Sequence, residues 1–219
     1  MECLRNKVIL GVFGIFMLFV IISAARIGAA DLLSGYARNE LNAWSLIAAK
    51  PDVSDVDSVS GALDMARLIA PDNPDHYEYL ARLALVRSGM PGVSESERNL
   101  QLVRGLEQIR KAIALRPVSP YSWAIMLQLK RERAEYDSEF RHGLERAVTL
   151  GPWEPLVQLI VADVGMSAWA ALPGAEQTLL KGNLARGVKR QAKQMIAILR
   201  MHRNDCKGER AKLNAGCSR

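Results

Sequence analysis

Residues 109–120, IRKAIALRPVSP, decide the fold once LDMARLIAPDNP at 63–74 and LERAVTLGPWEP at 144–155 are set beneath them. With Pro71, Pro117 and Pro152 in register, Leu63, Ile109 and Leu144 stand eight residues before the proline, Ala66, Ala112 and Ala147 five before, and Ile69, Leu115 and Leu150 two before. Those offsets put all three side chains of each segment on one face of a helix. The small residue in the middle of the stripe lets a neighbouring helix approach closely. Arg110, off the stripe, is expected to be an ordinary surface residue.

Three residues after each of these prolines comes another, Pro74, Pro120 and Pro155. Proline lacks the donor a continuing helix needs, yet its fixed φ suits the first position of a new one, so the first proline stops a helix and the second starts the next. Asn73 and Ser119 precede two of them as N-caps, and Glu154 is the poorer cap before the third. Apolar residues then recur at matching offsets: Leu80, Met126 and Val161, then Ala81, Leu127 and Ala162, then Leu83, Leu129 and Val164. Each unit is therefore predicted to be a pair of helices.

The 35 residues from Pro117 to Pro152 lie near the tetratricopeptide period of about 34. From Pro71 to Pro117 there are 46, and Gly-Met-Pro-Gly at 89–92 with the polar run through Arg98 reads as an inserted loop. The Ala-x-x-Leu-x-Pro ending and the aromatic six residues past the proline, Tyr77 or Trp123, resemble the tetratricopeptide family over residues 55–170. Phe140, where that family prefers a small residue, and Gln158, in place of the aromatic, depart from it. The resemblance implies an all-α array of helical hairpins with a concave groove that binds a protein segment. By position it sets Asp75, Glu78, Arg82, Tyr121, Gln128, Arg131 and Asp163 toward that groove.

Val8 to Ala25 form an uncharged apolar run, VILGVFGIFMLFVIISAA, long enough to span a bilayer core. Arg5 and Lys7 make a short basic leader of the kind that begins export signals, which sets the folded part outside the cytoplasm. Ser23 and Ala25, or Gly28 and Ala30, offer small pairs for a signal peptidase, but the length of the run favours a retained anchor. Cys3 precedes the run and so is not a lipoprotein cysteine. The expected organisation is a cytoplasmic leader at 1–7, a transmembrane anchor at 8–25, a membrane-proximal helix and linker at 26–54, helical repeats at 55–170, a basic helix at 171–203 and a tail at 204–219. Within it, Ala30 to Lys50 reads as a helix leaving the membrane and Gln177 to Met201 as one long final helix.

The net charge of +6 is concentrated at one end. Residues 181–219 hold 11 Lys or Arg against Asp205 and Glu209, an excess of +9, and the remainder carries 18 basic and 21 acidic groups, net −3. Lys181, Arg186, Lys189, Arg190, Lys193 and Arg200 alternate with Leu180, Leu184, Val188, Met195 and Leu199, the pattern of a basic amphipathic helix suited to anionic lipid or an acidic polysaccharide. No nucleic-acid partner is expected. Cys206 and Cys217 form a candidate disulfide if the domain is exported; a zinc site with His202 lacks a fourth ligand.

Signals for chemistry are sparse. His76, His142 and His202 are dispersed, with surface or capping roles expected, and no phosphate-binding glycine loop or Gly-x-Ser-x-Gly elbow occurs. Asp52, Asp55 and Asp57 read as a solvated stretch with an N-cap aspartate. No cofactor, metal or catalytic residue is expected. The whole layout, with Leu-Arg-Pro-x-Ser-Pro-Tyr-Ser-Trp at 115–123, also resembles the VpsP-type accessory proteins of bacterial exopolysaccharide loci. That implies a non-catalytic scaffold in polysaccharide synthesis or export, in contact with other envelope proteins. A cytochrome-maturation or other envelope assembly factor, or a polysaccharide-modifying enzyme, is the alternative.

Overall fold

A computed structural model describes residues 2–46 and 51–205, and every regular element among them is helical. The chain falls into two units, Met1–Tyr79 and Leu80–Arg219, and the division lies within one helix, α3 (Pro74–Ser88).

In the first unit α1 (Glu2–Leu46) is continuous. The apolar run and the membrane-proximal helix, expected as separate pieces, are one, because Ala-Ala-Arg-Ile-Gly-Ala-Ala at 24–30 holds no proline and mostly good helix formers. Its two halves differ in environment: Leu10, Ile15 and Phe19 are 72%, 72% and 68% exposed, whereas Ala30, Ser34, Ala37 and Leu41 are buried. The buried spacings of four, three and four residues mark one helical face. α2 (Val53–Ile69) packs along α1 and buries Val56, Val59, Leu63 and Ala66. Asp52 caps it in a reciprocal box with Asp55, as the N-cap reading of that acidic stretch expects. At the other end Arg26, one residue past the apolar run, donates to the Ile69 carbonyl at 3.1 Å. A cation there suits a helix C-terminus. α2 therefore ends beside the point where the apolar run of α1 stops.

The second unit contains the rest of α3, then α4 (Glu95–Leu115), α5 (Pro120–Glu132), α6 (Ser138–Leu150), α7 (Pro155–Ser167), a single 3-10 turn at Trp169–Ala171, α8 (Gly174–Arg190) and α9 (Ala192–Asp205). α5 lies innermost, packed on α4, α6 and α7, and α8 and α9 cover α7. Ala124, Leu127 and Leu129 of α5 are fully buried. Gly105 of α4 permits this closeness, since a methyl there would lie 2.7 Å from Leu129 and 3.0 Å from Ala84.

The stripe read from the three proline segments is fully buried at two positions and partly exposed at the third. Leu63, Ile109 and Leu144 and the three alanines are all 0% exposed. In the last turn of each helix, Ile69 and Leu150 are half-buried and Leu115 is 44% exposed. Pro74, Pro120 and Pro155 each begin a helix. The inserted loop is also shorter than expected: Ser94 accepts from the Glu97 amide and starts α4, so the polar run to Arg98 is helical. α4 has 21 residues where α6 has 13, so most of the extra length between the prolines lengthens a helix.

The expected final helix from Gln177 to Met201 is broken at Gln191. Its backbone leaves the helix with φ −143° and ψ 55°, and its side chain donates to the Pro155 carbonyl at 2.8 Å and to Gln158 Oε1 at 3.1 Å. Gly187 lets Met195 of α9 fold back against α8, where a methyl would collide with the methionine terminus. Neither proline nor glycine marks the break itself, so tertiary bonds override local propensity. For packing, Ala112→Leu should destabilise the protein by roughly 1–3 kcal/mol through overpacking, whereas Arg104→Gln, at an exposed site, should stay within about 0.5 kcal/mol. Urea unfolding followed by circular dichroism measures both, and an unchanged Ala112→Leu midpoint would contradict the packing described.

Candidate functional site

The three proline turns share one geometry. The carbonyl before each first proline, of Ala70, Arg116 or Gly151, accepts from the amide three residues on, of Asn73, Ser119 or Glu154, at 3.2–3.3 Å. The carbonyl of the proline itself accepts from the side chain six residues on: Tyr77 at 2.8 Å, Trp123 at 2.9 Å and Gln158 at 2.7 Å. Gln158 thus keeps the function of the aromatics it replaces. What recurs is a donor to an orphaned turn carbonyl. Asn73 and Ser119 cap as read, and Glu154 makes no side-chain cap bond.

The densest polar cluster lies at the end of α5. Lys130 is 1% exposed, and its ammonium donates to Asp137 at 2.8 and 3.0 Å and pairs with Glu139 at 2.8 Å. Glu135 lies 3.6 Å away. Burial opposes its charge, but the bonds to Asp137 and Glu139 outweigh this and raise the lysine pKa. Arg110 forks onto Glu139 at 2.8 and 2.7 Å, which corrects its reading as an ordinary surface residue. That bond first, against burial, and then Lys130 hold the Glu139 carboxyl at about 2. Asp137 also accepts from the Phe140 amide and so caps α6. Sequence reading passed over this cluster. An aspartate three residues before an apolar helical position was the available signal for the cap, but a lysine within a helix gives none for burial.

Among the residues assigned to a groove, Arg131 and Asp163 are brought together as an ion pair. Arg131 also bonds Glu132 at 2.9 Å, and His202 of α9 donates from Nε2 to Asp163 at 2.9 Å. Burial works against the Asp163 charge, while His202 and Arg131 hold its pKa below the usual range. Tyr121 donates to Glu154 at 2.5 Å. Gln128 is half-buried on α5, and Asp75, Glu78 and Arg82 are half-buried on α3. Arg131, Asp163 and Tyr121 thus tie α5, α7 and α9 to one another.

The basic residues divide similarly. Lys181 lies over the Trp169 ring at 5.6 Å, and Arg186 donates to the Pro152 carbonyl at 3.2 Å. Lys189, Arg190, Lys193 and Arg200 are exposed, and Arg200 lines a shallow depression of about 290 Å³ with Ile196, Leu199 and Arg203. Of the apolar stripe, Leu180 and Met195 are buried and Val188 is 38% exposed, since the break at Gln191 divides the expected single face. Cys206 and Cys217 lie outside the described residues.

His142 is exposed, as a surface role expects, whereas His76 and His202 are buried. His76 is fully buried and its protonated Nδ1 donates to the Ala70 carbonyl at 3.1 Å, a capping role; burial keeps its pKa low. His202 is 6% exposed, and His142 meets Trp123 edge-on at 5.3 Å. Among the described residues no group of three or more His, Cys, Asp or Glu side chains is arranged to hold a metal.

Comparison with protein-family models, curated proteins and solved structures gives no match in any of the three.

Because the folded pKa of Glu139 lies below its ordinary value of 4.5, the stability it contributes is present above about pH 4.5 and lost as pH falls toward about 2. Glu139→Gln should destabilise by about 1–3 kcal/mol near neutral pH, the lower part of that range if solvent screens its exposed edge. The gap to the wild type should narrow across the acid range, as followed by denaturant unfolding at each pH. Lys130→Met, which leaves its carboxylates facing one another, should cost roughly 3–5 kcal/mol.

Proposed function

We propose that this chain is a single-pass protein of the bacterial inner membrane whose folded part lies in the periplasm. It acts without catalysis, as a tetratricopeptide-like scaffold that supports exopolysaccharide biosynthesis or export through contacts with other envelope proteins. The observation that carries the anchored reading is the environment of α1. Leu10, Phe13, Phe16 and Phe19 are 57–72% exposed on a helix whose other half is packed against α2. Apolar area of that extent is stable when lipid rather than water covers it. The scaffold reading is supported by the threefold recurrence of one turn geometry, which fits a chain built from repeated helix pairs. The process it serves is drawn from the resemblance at 115–123. Ser119 and Trp123 of that segment both bond within the turn.

Membranes containing the full chain should keep it in the pellet after alkaline carbonate extraction, and a reporter active only after export should be active when fused after Arg219. Release by carbonate would overturn the anchor, and activity of a cytosolic reporter at that position would overturn the periplasmic placement. Deleting the chain from its host should lower secreted exopolysaccharide, with unchanged polymer output overturning the assigned process.

A further inference from the structure

Two turns and one helix junction of the second unit meet along one edge. Gly151, at the α6–α7 turn, lies so close to the α4–α5 turn that a methyl on it would be 2.7 Å from Pro120 Cβ. Tyr121 and Glu154 bond across the same seam. Arg186 reaches the Pro152 carbonyl, and Gln191, between α8 and α9, reaches the Pro155 carbonyl. These bonds bring the α8–α9 junction to the α6–α7 turn, which in turn abuts the α4–α5 turn through Gly151 and Tyr121.

The edge they build is apolar at its tips and basic at its flank. Val118, Trp153 and Leu156 are 64%, 60% and 54% exposed at the two turns. Lys189, Arg190 and Lys193, all exposed, flank Gln191 in the sequence. The carboxylate at the seam, Glu154, receives the Tyr121 hydroxyl. A surface of this composition fits a medium that offers negative charge at its face and hydrocarbon just beneath. Tryptophan settles at the headgroup level of a bilayer, and each lysine or arginine near an anionic leaflet adds attraction that salt weakens.

We infer that the edge formed by Val118, Trp153, Leu156, Lys189, Arg190 and Lys193 docks on the surface of an anionic phospholipid bilayer. The inference rests on the anchored reading for one thing only, the standing nearness of a membrane. An acidic polymer would match the cations but leave Val118, Trp153 and Leu156 in water, and a second copy would match the apolar tips but oppose cation to cation.

The test uses the full chain in nanodiscs of phosphatidylcholine and in discs containing roughly 30% phosphatidylglycerol. Hydrogen exchange of the amides of residues 151–158 and 188–194 should slow at least about fivefold in the anionic discs relative to the neutral ones, and return to the neutral-disc rate at high salt. Reversal of Lys189, Arg190 and Lys193 to Glu should abolish the difference, and Trp153→Ala with Leu156→Ser should diminish it. All five sites are exposed, and unchanged helical circular dichroism shows that the fold persists.

Equal exchange in the two discs at low salt, with the chain incorporated, overturns the proposal. So does protection conferred by an added acidic polysaccharide and not by anionic lipid, or protection in neutral discs that grows with protein concentration. Failure of the chain to enter either disc overturns the anchored reading instead. In that case the same measurement on the chain held in amphipol, with anionic vesicles added, decides the edge.

Discussion

A helix that stops at a proline leaves carbonyls without partners, and this chain stops a helix that way three times. The carbonyl of the stopping proline cannot be served by the backbone ahead of it, because the next helix begins three residues later with another proline. A side chain about one turn into the new helix reaches back to it in every case. That return bond ties each turn to the first turn of the helix that follows it. The chemistry of the donor is free to vary among phenol, indole and amide, since only the N–H or O–H is required.

The same freedom explains what was legible beforehand. Prolines, alanines and the apolar residues four turns around them have no substitute for the roles they play, so Ala66, Ala112 and Ala147 could be assigned to close helix approaches from spacing alone. Gln158 looked like a departure because side-chain type was compared, while the physical requirement was a donor. Residues whose role depends on distant partners left less trace. Lys130 is buried only because Asp137 and Glu139, from the following turn and helix, surround it, and nothing in LQLKRE distinguishes it from a solvated lysine. Gln191 breaks a helix by bonding a turn that lies 36 residues earlier. Ser94 and Glu97, in contrast, carry a readable start signal for α4, and the polar composition of that stretch obscured it.

Charge in this protein mostly joins elements. Arg131 and His202 converge on Asp163, Arg110 and Lys130 on Glu139, and Arg98 holds Glu132 at 2.6 Å. Replacing one partner in such an arrangement strands the other in a partly dry site, which makes the cluster sensitive to single changes. Several of the groups assigned to the groove, Tyr121, Arg131 and Asp163 among them, are engaged with the protein itself. Around the α8–α9 junction the balance is different, with Lys189, Arg190 and Lys193 exposed beside turns that present Val118, Trp153 and Leu156.

The uninterrupted course of α1 has a mechanical consequence. From Arg26 to Leu46 the helix rises about 30 Å at 1.5 Å per residue, and no proline or non-helical residue separates that stretch from the apolar one. α2, laid along it and tied back at Arg26, thickens the stretch into a two-stranded strut. In the proposed anchored state, any tilt of the apolar half to match bilayer thickness would be carried without a joint into that strut. In that state, a small rotation of the apolar half would become a lateral displacement of several ångströms at Leu46, so the thickness of the surrounding bilayer would be converted into the position of the hairpin's far end.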